Sequence, residues 1–460
     1  MRFYFFFCFT ILTSFVFGQN KMVISEISIN GNKKTKEHTI LRELYFAVGD
    51  SLNAKELVEK IEQSKKNIET QWLFNFIDFD FKIQEQKIAI NIDVVERWYI
   101  WPYPILEISE RNFNVFYDSL KASNYSDFSK LNYGIFLNIY NFRGRNELLQ
   151  IKYRKGHKEH YLFDYYIPYL NQSKAIGLNI VVEQFRMKTF HFNTVNNQLE
   201  YFTSNEAQFK DFKKSITLQY KPKLIFTHKL SFENSVYTIP DDPSLKEMNF
   251  IESSSNKFIV NKVQYLLENE KRNSISYPTE GGYNMLQFDF YKGIDNDFQN
   301  ISLIAKNENH FRAGNRFFYG YSLKGKVNLN DSLPYVLNES LGFEDYLRGY
   351  EYFVIDGGKY IFSKTAFKYS LIPKKLFQIP FFDLDQFKKS YYSVYLSIFA
   401  DMGIVYDKYT DPSNKLNNNF LFSQGVSLDF VTYYDKLFRL ELSKNHLNEW
   451  GIFLHFSNPF

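Results

Sequence analysis

The sequence predicts a mainly β chain: a transmembrane antiparallel β-barrel of about 16 strands, preceded by one small α+β domain. Three observations carry that prediction. Aromatic residues make up 19% of the 460 (50 Phe, 35 Tyr, 4 Trp), more than ordinary globular usage. Mean hydropathy is −0.36, yet from about Tyr99 onward apolar and polar residues alternate with a period of two, in runs of about ten residues. Beyond the N-terminus no apolar run reaches the ~18 residues that a membrane helix needs. Strands of this kind turn one face to lipid and the other to a wet lumen. Girdles of Phe and Tyr at the two interfaces then account for the aromatic excess. A soluble sandwich also alternates, but its strands are typically about five to six residues long. The net charge of +4, from 55 basic and 51 acidic residues, is too balanced to argue for nucleic acid as a partner.

The first element is a secretory signal over residues 1–18. Met1-Arg2 gives a positive start, Phe3 to Phe17 is nearly unbroken apolar sequence, and Gly18 precedes Gln19 at the expected cut. A buried N-terminal strand or helix is the structural alternative. Cys8 lies inside the apolar stretch, so a chain cut after Gly18 contains no cysteine. Disulfides and thiol chemistry are then excluded.

Residues 21–97 form the small domain. Met22 to Ile29 reads as a strand ending at the Asn30-Gly31-Asn32 turn. Thr35 is placed to cap a short helix carrying Ile40, Leu41 and Leu44, and Gly49-Asp50 ends it. Asn53 and Glu56 make a capping box for a second helix with Leu57, Val58, Ile61 and Ile68 as its apolar stripe. Ile77, Phe79, Phe81 and Ile83 alternate with polar residues, as do Ile88, Ile90, Ile92 and Val94, giving two half-buried strands in a hairpin.

Residues 98–460 form the barrel. At roughly 20 to 25 residues per strand and connection it holds about 14 to 18 strands, and an even number is expected. Phe317, Tyr319, Tyr321, Leu323 and Val327 share one face of a strand. Leu396, Ile398, Ala400 and Met402 share one face of another, which turns Phe399, Asp401 and Gly403 inward. A long connection, about Ser332 to Gly358, contains Leu347-Arg348-Gly349-Tyr350. Loops of that length are usually functional or disordered. An inward Asp shielded from water favours a cation, and Arg offers a two-pronged match. Taken alone, a solvated loop Arg and an ordinary lumen Asp explain each motif equally simply.

Together these motifs resemble those of the BamA/TamA superfamily of outer-membrane assembly and translocation proteins, which includes two-partner-secretion transporters. The small domain resembles a single polypeptide-transport-associated (POTRA) domain through Ile27-x-Ile29-x-Gly31-Asn32, Gly49-Asp50 and Val95-Glu96. The resemblance implies that the sixth loop enters the lumen, that Arg348 pairs with Asp401, and that Gly349 and Tyr350 form the tip. Asn273 to Tyr283 is similar to the family's Asn-Pro-x-x-Gly turn segment, with Tyr277 in place of the Asn. Some relatives carry an inward acid on the strand after the loop, where this chain has Phe367 and Lys368, so the lock rests on Asp401 alone or the loop sits differently. The resemblance further implies outer-membrane lipid around the barrel of a Gram-negative bacterium, a periplasmic POTRA domain, and unfolded outer-membrane or secreted clients added as a strand at that domain's sheet edge. Periplasmic accessory proteins are further possible partners.

Gly451, Leu454, Phe456 and the final Phe460 fit the terminal-strand signal that barrels present to assembly machinery, with Trp450, Ile452, Leu454 and Phe456 on one face. Pro102 and Pro104, two apart, remove two backbone donors from the same side of a strand. Either they weaken a seam between the first and last strands, or they belong to a linker before the first strand. His157 and His160 read as a solvated turn rather than a metal site. Nucleotide-binding, hydrolase and zinc-protease motifs are absent from the sequence, so no enzyme activity, metal or cofactor is expected. The function expected is assisted insertion of outer-membrane proteins or translocation of proteins across the outer membrane. The alternatives are a dedicated transporter for one secreted partner and a structural barrel whose POTRA domain recruits a periplasmic complex.

Overall fold

The computed structural model describes residues 21–457, except 72, 109–120, 122, 126–127, 129–130, 172, 205, 207, 224, 253–254, 379–388 and 433–435. The expected signal segment, with Cys8, lies outside the described residues, as does Phe460. The chain divides into two compact units: residues up to 97 with the 143–146 turn, and the remainder.

In the first unit, β1 (Met22–Asn30) is followed by α1 (Glu37–Leu41), β2 (Ser51–Leu52), α2 (Ala54–Thr70), β3 (Phe74–Gln84) and β4 (Lys87–Glu96). The sheet order is β2-β1-β4-β3, with β1 parallel to β4 and β3 antiparallel to it. Ile24, Ile40, Leu57, Ile68, Ile77, Ile88, Ile90, Ile92 and Val94 are buried. The Asn53–Glu56 capping box is present. Three expectations fail in detail. Helix α1 is capped by Lys36 without a side-chain bond. Thr35 instead bonds Glu96 through both its N–H and its hydroxyl, each at 2.6 Å, because a carboxylate on β4 competes successfully for those donors. Val58 lies outside the buried stripe. Phe81 and Ile83, expected half-buried, are 57% and 53% exposed on the free edge strand β3.

The second unit is a sixteen-stranded antiparallel sheet. Its strands are β5 (Ile100–Ile108), β6 (Leu131–Tyr140), β7 (Leu148–Gly156), β8 (Lys158–Ile167), β9 (Ile176–Met187), β12 (Phe209–Lys223), β13 (Phe226–Thr238) and β14 (Lys257–Glu270). They continue with β15 (Gly281–Gly293), β16 (Gln299–Arg312), β17 (Phe317–Asn328), β18 (Lys359–Gln378), β19 (Lys389–Tyr406), β20 (Leu421–Thr432), β21 (Lys436–Asn445) and β22 (Trp450–Ser457). A separate hairpin, β10 (Thr189–Val195) and β11 (Gln198–Thr203), stands in the β9–β12 connection.

Apolar side chains on one face of each strand are exposed, among them Leu286, Phe288, Ile398, Met402 and Leu440, while polar ones on the other are buried, among them Ser302, Asp401, Asp429 and Glu441. That inversion of a soluble core is what lipid outside and polar lumen inside require. The aromatic excess is not all girdle. Phe190, Phe209, Tyr237, Phe250, Phe258 and Phe298 form one buried cluster with Leu245 and Leu333, built from strand ends and the connections after β9, β13, β15 and β17.

Candidate functional site: the sixth loop and its lumen seat

The β17–β18 connection is the sixth of eight on its side of the sheet and the one that carries Leu347–Tyr350. Leu347 is 1% exposed and packs with Leu341, Tyr350, Ile355, Tyr360, Phe362, Val405, Leu416 and Leu421. This apolar anchor helps to seat the loop beside the ion pair. Gly403 makes it possible: a Cβ there would stand 2.8 Å from Phe362 Cβ and 3.2 Å from Leu347 Cδ1.

Arg348 is 6% exposed and Asp401 is fully buried. Arg348 Nε donates to Asp401 Oδ2 (2.8 Å), Nη2 to Oδ1 (2.5 Å), and the Arg348 backbone N–H also to Oδ2 (3.2 Å). The remaining donor of Nη2 reaches Thr365 O on β18 at 3.1 Å. The guanidinium carbon lies over the Phe399 ring, 3.8 Å from its centre, a cation–π contact strengthened by desolvation. Thus all three residues expected inward on β19 serve the loop, and β18 supplies a carbonyl rather than an acid. Lys364, opposite Asp401, lies over the Tyr346 ring at 3.9 Å.

Gly349 has φ +82°, a left-handed conformation that favours glycine. Its carbonyl accepts from Asn445 Nδ2 at 3.1 Å. Tyr350 donates to Phe422 O at 2.9 Å and its hydroxyl accepts from Phe422 N–H at 3.0 Å. It also contacts His446.

Sequence reasoning missed a second lumen cluster. Arg439 Nε and Nη2 bind Asp429 at 2.7 and 3.1 Å, and Tyr277 OH donates to Asp429 Oδ2 at 2.8 Å. Tyr277, which replaces the family Asn, is 6% exposed. Lys368 lies over its ring and donates to Pro278 O at 3.1 Å. It also missed the clasp on the far end of the loop. Asn197, at the β10–β11 turn, bonds Asn414, Asn417, Leu416 N–H and both backbone groups of Val354 at 2.7–3.2 Å. Runs of Asn in loops carry no periodicity, so nothing in the sequence singled them out. His157 and His160 are buried, not solvated, and His160 Nε2 lies 2.7 Å from Glu183; a lumen carboxylate supplies the partner that makes burial tolerable.

Pro102 and Pro104 lie within β5, opposite Leu137 and Ile135 of β6, so the linker reading is corrected. Their orientation follows from register. Tyr140 N–H donates to Tyr99 O at 2.8 Å, so residues 101, 103, 105 and 107 are the hydrogen-bonded positions toward β6. Positions 102 and 104 turn the other way, to the free edge of β5. Among the described residues β5 and β22 pair with no further strand. On β22, Trp450, Ile452, Leu454 and Phe456 are 60–70% exposed, and Phe453 is buried on the opposite face. Gly451 shares that inner face, where a Cβ would meet the Phe453 ring.

With this geometry established, residues 141–434 match the model of the Omp85 superfamily domain. The chain belongs to the Omp85 superfamily. Residues 22–97 match the POTRA model, described as a surface antigen variable number repeat. This Omp85 chain is similar to BamA from Haemophilus ducreyi lacking POTRA domains 1–3, with TM-score 0.58 and 12% identity over 94% of this chain and 83% of that one. It is also similar to CdiB from Acinetobacter baumannii (TM-score 0.52, 11% identity, 94% and 73% covered). CdiB from Escherichia coli matches with TM-score 0.54 and 13% identity over 95% and 74%. A search of curated proteins returns no match. An Omp85 barrel of this kind indicates the Gram-negative outer membrane.

Proposed function

We propose that this Omp85 protein moves other polypeptides into or across the outer membrane, in an accessory or dedicated role. The observation that carries the proposal is the edge of β5, where two prolines remove donors on the side away from β6. A barrel whose first strand cannot pair fully has a built-in place to part. No nucleotide site is present in the sequence, so the drive comes from the client: apolar strands enter lipid and close their own hydrogen bonds.

In this mechanism the POTRA domain faces the periplasm and β3 offers a client its free edge, with Phe81 and Ile83 as exposed contacts. The client passes to the β5–β22 seam. Arg348, held by Asp401, Thr365 and Phe399, keeps the sixth loop seated while the seam opens. The terminal residues around Gly451, Leu454 and Phe456 guide this chain's own assembly as a barrel client. A single POTRA domain favours one client or few over a general assembly role.

Controlled depletion followed by quantitative proteomics of outer membranes and medium tests this. Loss of one or a few secreted or outer-membrane proteins is expected. A broad fall in barrel proteins would instead make it a general assembly factor, and an unchanged proteome would refute transport altogether.

A further inference from the structure

Glu351, Glu441 and His455 converge inside the barrel. Glu351 follows the loop tip directly, Glu441 stands on β21, and His455 stands on β22. One side-chain ligand atom from each lies within 4.8 Å of the others. His455 Nε2 is 3.6 Å from Glu351 Oε1 and 4.0 Å from Glu441 Oε2. Glu441 is 0% exposed. Both its carboxylate oxygens, both of Glu351, and Nε2 of His455 are buried without a hydrogen-bond partner among the described residues.

Two buried carboxylates this close repel each other and lack the donors that a buried anion requires. The neighbouring cations are engaged elsewhere. Arg348 is bound to Asp401, Arg439 to Asp429, and the Lys364 ammonium rests on the Tyr346 ring. Tyr346 in turn stacks on His455, 5.7 Å between centres and 17° between planes, which fixes the plane of the imidazole.

We propose that Glu351, Glu441 and His455 form a binding site for a divalent transition metal of the zinc class. Two carboxylates and one imidazole are a donor set suited to Zn²⁺, with water in the fourth position. Calcium prefers six to eight oxygens, which this site does not offer. Zinc bonds of about 2.0–2.2 Å put donors about 3–3.5 Å apart, so the side chains need close by only about 1 Å. The ion neutralises the excess negative charge. It also ties the residue after the loop tip to the last two strands, beside the free edge of β22. Arg348 holds the loop from β19; the metal holds it from β21 and β22. Metal occupancy therefore sets how firmly the loop is anchored at the terminal strand. The inference stands on these three side chains and does not depend on which client is carried.

The test uses the full chain in detergent micelles, stripped of metal and titrated with Zn²⁺ against a chromophoric chelator. One equivalent is expected to bind, with affinity at least tenfold lower in Glu441→Gln and in His455→Gln and unchanged in His228→Gln. Absence of stoichiometric binding, or binding that both variants leave intact, overturns the proposal. The unmodified protein gives a second reading that needs no variant to fold. Co²⁺ should show the intense visible bands of a tetrahedral nitrogen–oxygen site, whereas the weak spectrum of an octahedral aqua ion refutes it.

Discussion

Arg348 and Asp401 are 53 residues apart in the chain and meet in a two-pronged ion pair sealed from water, with the Arg backbone N–H bound to the same carboxylate. The pair joins a loop to a strand that the loop does not lead into directly. A third partner, Thr365 O, lies on the strand between them. Breaking one member of a buried pair leaves the other uncompensated and costs about 3–5 kcal/mol. Arg348→Ala is therefore expected to unseat the loop, and to reduce client delivery more than barrel abundance. Delivery assays run beside quantified, heat-modifiable barrel bands check it. Equal loss of both would make the pair purely structural. Arg348→Lys should recover only part of the function, because an ammonium cannot make the bidentate contact.

Gly403 and Leu347 share a space with no room for a methyl group. Gly403→Ala overpacks the anchor and is expected to cost about 1–3 kcal/mol. Faster proteolysis of the sixth loop, with the barrel itself still folded, is the predicted readout. Unchanged proteolysis would mean that Leu347 is not what seats the loop.

Pro102→Val with Pro104→Val returns two donors to the free edge of β5. If that edge is the seam, the double variant should raise the thermal stability of the barrel and slow client delivery. Higher stability with delivery unchanged would show that transport does not pass through this edge.

Asn197 satisfies its backbone and side chain on two other loop segments at once, around Val354 and over 414–417. Asn197→Ala strands several buried polar groups, at about 1–3 kcal/mol each. Hydrogen exchange should rise together at residues 354–356 and 414–417. A rise at only one of those segments would show that the clasp is not a single unit.

Asp356 belongs to the same clasp, its carbonyl accepting from Asn417 Nδ2 at 2.6 Å. Burial pushes its carboxyl up to about 7, against lowering contributions from Thr194 and His191, while Glu339 and Asp407 raise it further. Because the folded value exceeds the unfolded one, the clasp is firmest in acid and loses stability as pH rises from the ordinary carboxylate range to about 7. Hydrogen exchange at 354–356, normalised for its intrinsic pH dependence, should therefore increase between about pH 5 and pH 8. Asp356→Asn should flatten that dependence. A flat profile in the unmodified protein would place the titration elsewhere.

Much of the architecture is legible in one dimension because its cause is local. Period-two alternation reports a strand with unlike faces, and Ile398, Met402 and Leu440 are exposed as that pattern requires. Asn53 and Glu56 are three apart, so their capping box is visible without a fold. The loop motif and its lumen partner stood out only together and by likeness to a family; neither residue alone announces a partner. Thr35 misled because its local capping role was outcompeted by Glu96, 61 residues away. The aromatic residues misled in part, since Phe190 and Phe258 look like girdle residues until the connections between strands pack into a core of their own.

By itself, then, the sequence determined a β-barrel with one small α+β domain ahead of it, since alternation, length and capping act between neighbours along the chain. Only the tertiary structure decided which polar side chains face each other across the lumen. Tyr277 with Asp429, Asn197 with Asn417, and Glu351 with Glu441 and His455 lie on separate strands and loops. Their meeting depends on sheet register and on how far the sixth loop enters, and no spacing along the chain encodes either.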